Sequence, residues 1–187
     1  MEGNPLTPIV MLVAAGTLLG NSPDATTMTG ADIKKVQEAR QPTPAWKEAL
    51  DYAMDKRGTP YLWGGTSDSG FDCSGLMLRA YEKAGIELPR TASEQYSAYS
   101  KKISWDELRP GDLVFFSGLG HVGMISKPGY MVHAPHSGDV VKEEKLSQWR
   151  HDAFVGAVRP DPKGVKLWAD LVKQRKQPPP ATLTAYL

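Results

Sequence analysis

The hydrophobic period changes from helical to strand-like part-way along this chain, and that change limits the folds open to it. After Pro44, the residues Trp46, Leu50, Ala53 and Met54 fall at helical spacing, with Pro44 suited to a first turn and Gly58 to a stop. A second helix is predicted from about Cys73, where Leu76, Leu78, Ala80 and Tyr81 precede Gly85. A short third helix follows, with Thr91 and Glu94 at capping-box spacing. Then the pattern switches to short runs rich in β-branched and aromatic residues, separated by Gly or Pro: "DLVFF" (112–116), "HVGMIS" (121–126), "YMVHA" (130–134), "DVVKEE" (139–144) and "AFVGAVR" (153–159). Helices first and strands second predict an α+β domain, with helices packed on an antiparallel sheet of five to six strands.

Bulk properties exclude more than they indicate. A net charge of +1 gives no electrostatic footprint for nucleic acid. The single cysteine, Cys73, rules out an internal disulfide and argues against a structural zinc cluster. No metal or organic cofactor is expected, and the expected state is a monomer. The apolar stretch 5–20 is shorter than the ~20 residues of a usual membrane span, and it lacks the basic flank of a secretory signal. Residues 1–20 therefore read as signal-like, as an anchor contacting a membrane, or as a segment packed on the domain. Residues 21–43 read as a polar linker with a short helix around Asp32 to Arg40, 44–160 as the folded domain, and 161–187 as a helix and a Pro-rich tail.

Cys73 lies in "FDCSG" (71–75), where the second helix begins. A lone cysteine is by default a small buried hydrophobe. At a helix N-terminus, however, unpaired N–H groups favour a thiolate, so the expectation is a lowered thiol pKa and a nucleophile. A nucleophile needs a base, and the base an orienting partner. His121 opens one predicted strand, and His133 lies in the next. Opposed residues of an antiparallel pair share a face. An odd-length loop, such as Lys127 to Gly129, puts His133 on the face of His121, and an even one puts His136 there. Three-residue hairpin loops are common and Pro135 ends a strand, which favours His133. The candidate triad is Cys73 as nucleophile, His121 as general base and acid, and His133 as orienter. Tyr61 is a candidate oxyanion donor beside the Cys73 backbone N–H. Trp63 is expected in the core.

Taken in order, "PYLWGG" (60–65), "FDCSGLM" (71–77), "LPRTASEQ" (88–95), "LRPGDLVFF" (108–116), "HVGMIS" and "MVHAPHSGDVV" (131–141) resemble the NlpC family of cell-wall cysteine peptidases. The resemblance covers roughly Pro44 to Pro160 and implies a papain-like α+β fold. It implies that Cys73, His121 and His133 form the triad, and it maps the family tyrosine onto Tyr61. It places Asp72, Ser74, Arg90, Ser93 and Gln95 near a substrate groove, with a structural ion pair as the alternative for Asp72 and Arg90. The implied activity is hydrolysis of peptidoglycan stem peptides between D-γ-glutamate and the diamino acid, in the envelope of a bacterium or outside it. A same-fold amidase or acyltransferase and a non-catalytic wall-binding module are the alternatives. Tyr99 stands where the family often has glycine, a change expected to reshape one groove wall.

Overall fold

Pro44, expected in the first turn, is instead the N-cap of the first helix, α1 (Ala45–Asp55), and its carbonyl accepts from the Lys47 and Glu48 N–H groups at 2.9 and 3.2 Å. The structure, a computed structural model, describes residues 43–176. The segment 1–20, the linker but for Thr43, its Asp32–Arg40 helix and the tail beyond 176 lie outside the described residues. Among the described residues no helix is long and apolar enough to cross a membrane.

α1 buries Trp46, Ala49, Leu50 and Ala53, a helical stripe that packs on α2 (Cys73–Lys83). α2 answers with Leu76, Met77, Ala80 and Tyr81; Met77 takes the core place that periodicity gave to Leu78, which is half-buried. Between the helices, β1 (Thr66–Ser67) and β2 (Gly70–Phe71) form a two-stranded ribbon that delivers the chain to Cys73. The short helix α3 (Ala92–Ser97) carries the predicted capping box, with Thr91 and Glu94 satisfying each other's backbone N–H groups.

Five antiparallel strands make the main sheet: β3 (Leu113–Phe116), β4 (His121–Lys127), β5 (Tyr130–His133), β6 (Lys142–Lys145) and β7 (Phe154–Val158), in spatial order β6-β5-β4-β3-β7. The strand expected at 139–144 starts later. Residues 139–141 pair instead with the segment before β1: Gly58 N–H donates to the Val141 carbonyl at 2.8 Å and Tyr61 N–H to that of Asp139 at 2.8 Å. Buried Val141 draws that stretch onto the helical core. One sheet face carries Phe115, Val122, Met124 and Val132 against α1 and α2, while the other carries Val114, Phe116, Ile125 and Met131 over Ile103. The helix α4 (Gln148–Asp152) precedes β7. The last helix, α5 (Pro162–Lys176), is tied to α1: Asp161 accepts from Trp46 N–H at 3.1 Å, and the rings of Trp46 and Trp168 meet edge to face at 5.8 Å.

The β4–β5 hairpin reaches the expected face by an unexpected route. Its turn holds two residues, Pro128 and Gly129, with Lys127 paired to Tyr130. That even loop alone would align His136 with His121. Ser126 is an extra residue between the pairs Ile125–Met131 and Lys127–Tyr130, a β-bulge that restores the odd count. His121 and His133 therefore share one face.

Candidate functional site

Asp72 is the N-cap of α2, and its carboxylate gathers donors from four directions. One oxygen accepts from Gly75 N–H at 2.7 Å, the Ser74 hydroxyl at 3.3 Å and Arg90 Nη1 at 3.1 Å; the other accepts from Gly64 N–H at 3.0 Å and Arg90 Nη2 at 2.6 Å. Burial pushes the Asp72 carboxyl up, but Arg90 and the N–H groups of Gly75 and Gly64 outweigh it, so its pKa lies below the usual range. This knot pins the "WGG" loop, the start of α2 and Arg90 together, and so fixes the Cys73 backbone. Gly75 has no room for a side chain, because a Cβ would sit on the Gly65 carbonyl oxygen.

Cys73 is half-buried, and burial of its thiol raises the pKa; the Val122 N–H draws it back, the Asp72 charge raises it again, and the N–H groups of Ser74 and Cys73 lower it. The net direction is upward, the reverse of the sequence expectation. Helix-end N–H groups do act as expected, but desolvation in a packed site exceeds them. The Val122 contact brings the sulfur to β4 one residue past His121.

His121 Nε2 lies 2.8 Å from His133 Nδ1. Gly123, opposite His133 in register, keeps the space beside the pair open: a Cβ there would lie 3.2 Å from the His133 Cβ and 2.9 Å from the Met131 sulfur, so the Met131 side chain would have to move. Burial drives the His121 pKa down to about 3, with His133 and Arg150 adding to the shift. Burial lowers His133 as well, against the pull of Glu144. Both rings are neutral at ordinary pH. His136 is exposed and bonds the Ser137 carbonyl at 3.0 Å, away from the pair.

The model of the NlpC/P60 family matches residues 58–159. The chain belongs to the NlpC/P60 family. Similar proteins include the bifunctional muramidase/DL-endopeptidase CwlT of Bacillus subtilis, 47% identical over 111 residues that are 56% of this chain and 32% of that one. The murein DD-endopeptidase MepH of Escherichia coli is 38% identical over 143 residues, 71% of this chain and 50% of that one. The chain thus spans half or less of the length of these curated relatives. The crystal structure of an NlpC/P60 family protein from Bacillus cereus superposes with a TM-score of 0.60 at 34% identity, over 65% of this chain and 42% of that one.

Not every residue expected at the groove of this NlpC/P60 domain lies beside the thiol. Tyr61 does: its pKa is raised by burial first, then by the neighbouring Cys73 and Asp72. Arg90 and Ser74 belong to the Asp72 knot, with Arg90 Nη1 3.0 Å from the Ser74 hydroxyl. Gln95 is fully buried, and its amide donates to the carbonyls of Ser74 at 3.0 Å and Pro89 at 2.9 Å, holding α2 to the segment before α3. Ser93 is exposed on α3, its hydroxyl 3.3 Å from that of Thr91. Tyr99 packs part-buried against the helical core. Trp63, expected in the core, is 85% exposed. Its segment hangs on Phe71 by backbone bonds, and fully buried Phe71 fills the core place instead.

The pattern reading missed Glu144 and Arg150. Glu144 Oε2 lies 3.3 Å from His133 Nε2, and Arg150 Nε donates to Glu144 Oε1 at 3.0 Å. Among the described residues, no three His, Cys, Asp or Glu side chains group as metal ligands.

Proposed function

We propose that this chain is a cysteine endopeptidase that hydrolyses peptidoglycan stem peptides at the D-γ-glutamyl–diamino acid bond. The observation that carries the reading is a thiol at the first turn of α2, set against the N–H of Val122 on β4, the residue after His121, whose ring is itself paired to a second histidine at 2.8 Å. With the thiol pKa raised and the imidazole pKa lowered, the resting pair is thiol and neutral imidazole rather than a preformed ion pair. His121 then acts as a general base. It takes the Cys73 proton as sulfur attacks the scissile carbonyl, and gives that proton to the leaving amine. The thioester is hydrolysed by a water that the same ring deprotonates. The Cys73 N–H and the Tyr61 hydroxyl are the donors assigned to the developing oxyanion. Peptidoglycan is the partner, which puts the protein in the bacterial envelope or outside it, acting as a monomer.

The two named relatives cut different bonds by their descriptions, one DL and the other DD. The D-γ-glutamyl–diamino acid bond joins a D to an L centre, and the relative of higher identity carries the DL name. Digestion of purified muropeptides, read by mass spectrometry, tests the assignment. The expected product is a disaccharide dipeptide, absent with Cys73→Ala. Cleavage only of the cross-link between D-centres would replace the bond assignment, release of the whole stem would indicate an amidase, and no cleavage by the wild-type chain would refute the activity.

A further inference from the structure

We infer that Glu144 is a positioning residue that selects the tautomer of His133 and, through it, turns His121 into an acceptor toward Cys73. The inference rests on the proposed peptidase site and extends it by one residue on β6.

His133 is fully buried, and its Nε2 has no hydrogen-bond partner of good alignment. The Glu144 carboxylate lies 3.3 Å from that atom. A carboxylate only accepts, so the proton of His133 belongs on Nε2. Nδ1 then carries the lone pair and accepts from His121 Nε2–H across 2.8 Å. With its proton on Nε2, His121 presents a bare Nδ1, the nitrogen left to receive the thiol proton. In the opposite tautomer His133 Nδ1–H would donate to His121 Nε2. The His121 proton would then sit on Nδ1, where it cannot take a proton from sulfur. When His121 becomes an imidazolium, the negative charge of Glu144 stands behind the pair and offsets the new positive charge.

Arg150 sets the orientation of Glu144. It is 8% exposed, and its guanidinium, which can only donate, bonds the other carboxylate oxygen at 3.0 Å. Ser147 holds Arg150 in place by capping α4. Besides Glu144 and Arg150, the charged or titratable groups acting on the pair are Lys142 on β6, paired with His133, and His136 in the loop after β5.

The arrangement makes an unusual order of variants. In Glu144→Gln, Arg150 claims the amide oxygen, so the amide NH2 faces His133 Nε2. That donor forces the proton onto His133 Nδ1 and the unproductive tautomer onto His121. In Glu144→Ala, His133 Nε2 loses the carboxylate beside it but meets no opposing donor. The isosteric change should therefore be the worse one: roughly 100-fold loss of Cys73 alkylation rate and of hydrolysis for Gln, against roughly 10-fold for Ala. A purely structural role predicts the reverse order.

Nitrogen-15 spectra of the histidine rings give a readout that needs no substrate. The wild-type chain should show His133 protonated at Nε2, and the Gln variant at Nδ1. A wild-type His133 protonated at Nδ1, or a Gln variant that equals or outperforms the Ala variant, overturns the inference. If muropeptides stay intact while the tautomers and alkylation rates follow the expected order, the peptidase reading fails and the relay stands.

Discussion

Replacing Asp72 with asparagine should move two properties in opposite directions. The carboxylate accepts from Gly75, Gly64, Ser74 and both terminal nitrogens of Arg90. Asparagine can keep its oxygen on Gly75 and so retain the cap. Its NH2 then faces Gly64 N–H and Arg90 Nη2, donors against donors. Leaving Gly64 N–H unmatched costs about 1 kcal/mol. Losing the Arg90 fork adds about 1–2 kcal/mol, a value held down because the Arg90 side chain is 38% exposed and partly screened. The loss of about 2–3 kcal/mol should lower a urea midpoint by about 1 M or more. The thiol responds with the opposite sign. The Asp72 charge raises the Cys73 pKa, so its removal should lower that pKa and speed alkylation by iodoacetamide near neutral pH. Equilibrium unfolding and a pH–rate profile of alkylation measure both. An unchanged midpoint, or a thiol that titrates higher in the variant, would refute the account of Asp72 as clamp and charge together.

Acid should weaken the fold through the paired histidines. His121 titrates at about 3 in the folded chain against 6.5 when free, so between those values the unfolded chain binds more protons. The stabilisation is complete above about pH 6.5 and drains away as pH falls, at up to about 1.4 kcal/mol per pH unit for each buried imidazole. Urea midpoints that do not drop between pH 7 and pH 5 would contradict this. Gly75→Ala should cost about 3 kcal/mol or more, since the new Cβ meets the Gly65 carbonyl and only backbone movement relieves it. Circular dichroism during thermal melting checks that, and a melting temperature within a degree or two of wild type would contradict it.

Features written as local patterns were legible in the sequence. The α1 stripe, the Thr91 capping box and the Leu113–Phe116 and Tyr130–His133 strands stand within a residue or two of their motifs. What failed was set by tertiary burial. The helix end that should acidify Cys73 is real, but desolvation by neighbours distant in sequence reverses the net shift. Trp63 looks like core because it is aromatic, yet Phe71 already occupies the place. Glu144 was invisible for another reason. It reaches His133 after a loop, residues 134–141, whose path depends on pairing with residues 58–61, and no spacing rule spans that detour.

The Ser126 bulge carries a consequence for how such a chain can change over generations. Surface hairpins ordinarily tolerate gain or loss of a residue, because the strands beneath them do not notice. Here a single insertion or deletion that slips the β4–β5 register by one residue turns His133 to the other side of the sheet and offers exposed His136 in its place. Length variation at this turn should therefore proceed in steps of two, or as paired events in which a new residue in the loop is cancelled by loss of the bulge. A tip that faces solvent is thus under the same constraint as the histidine pair it positions.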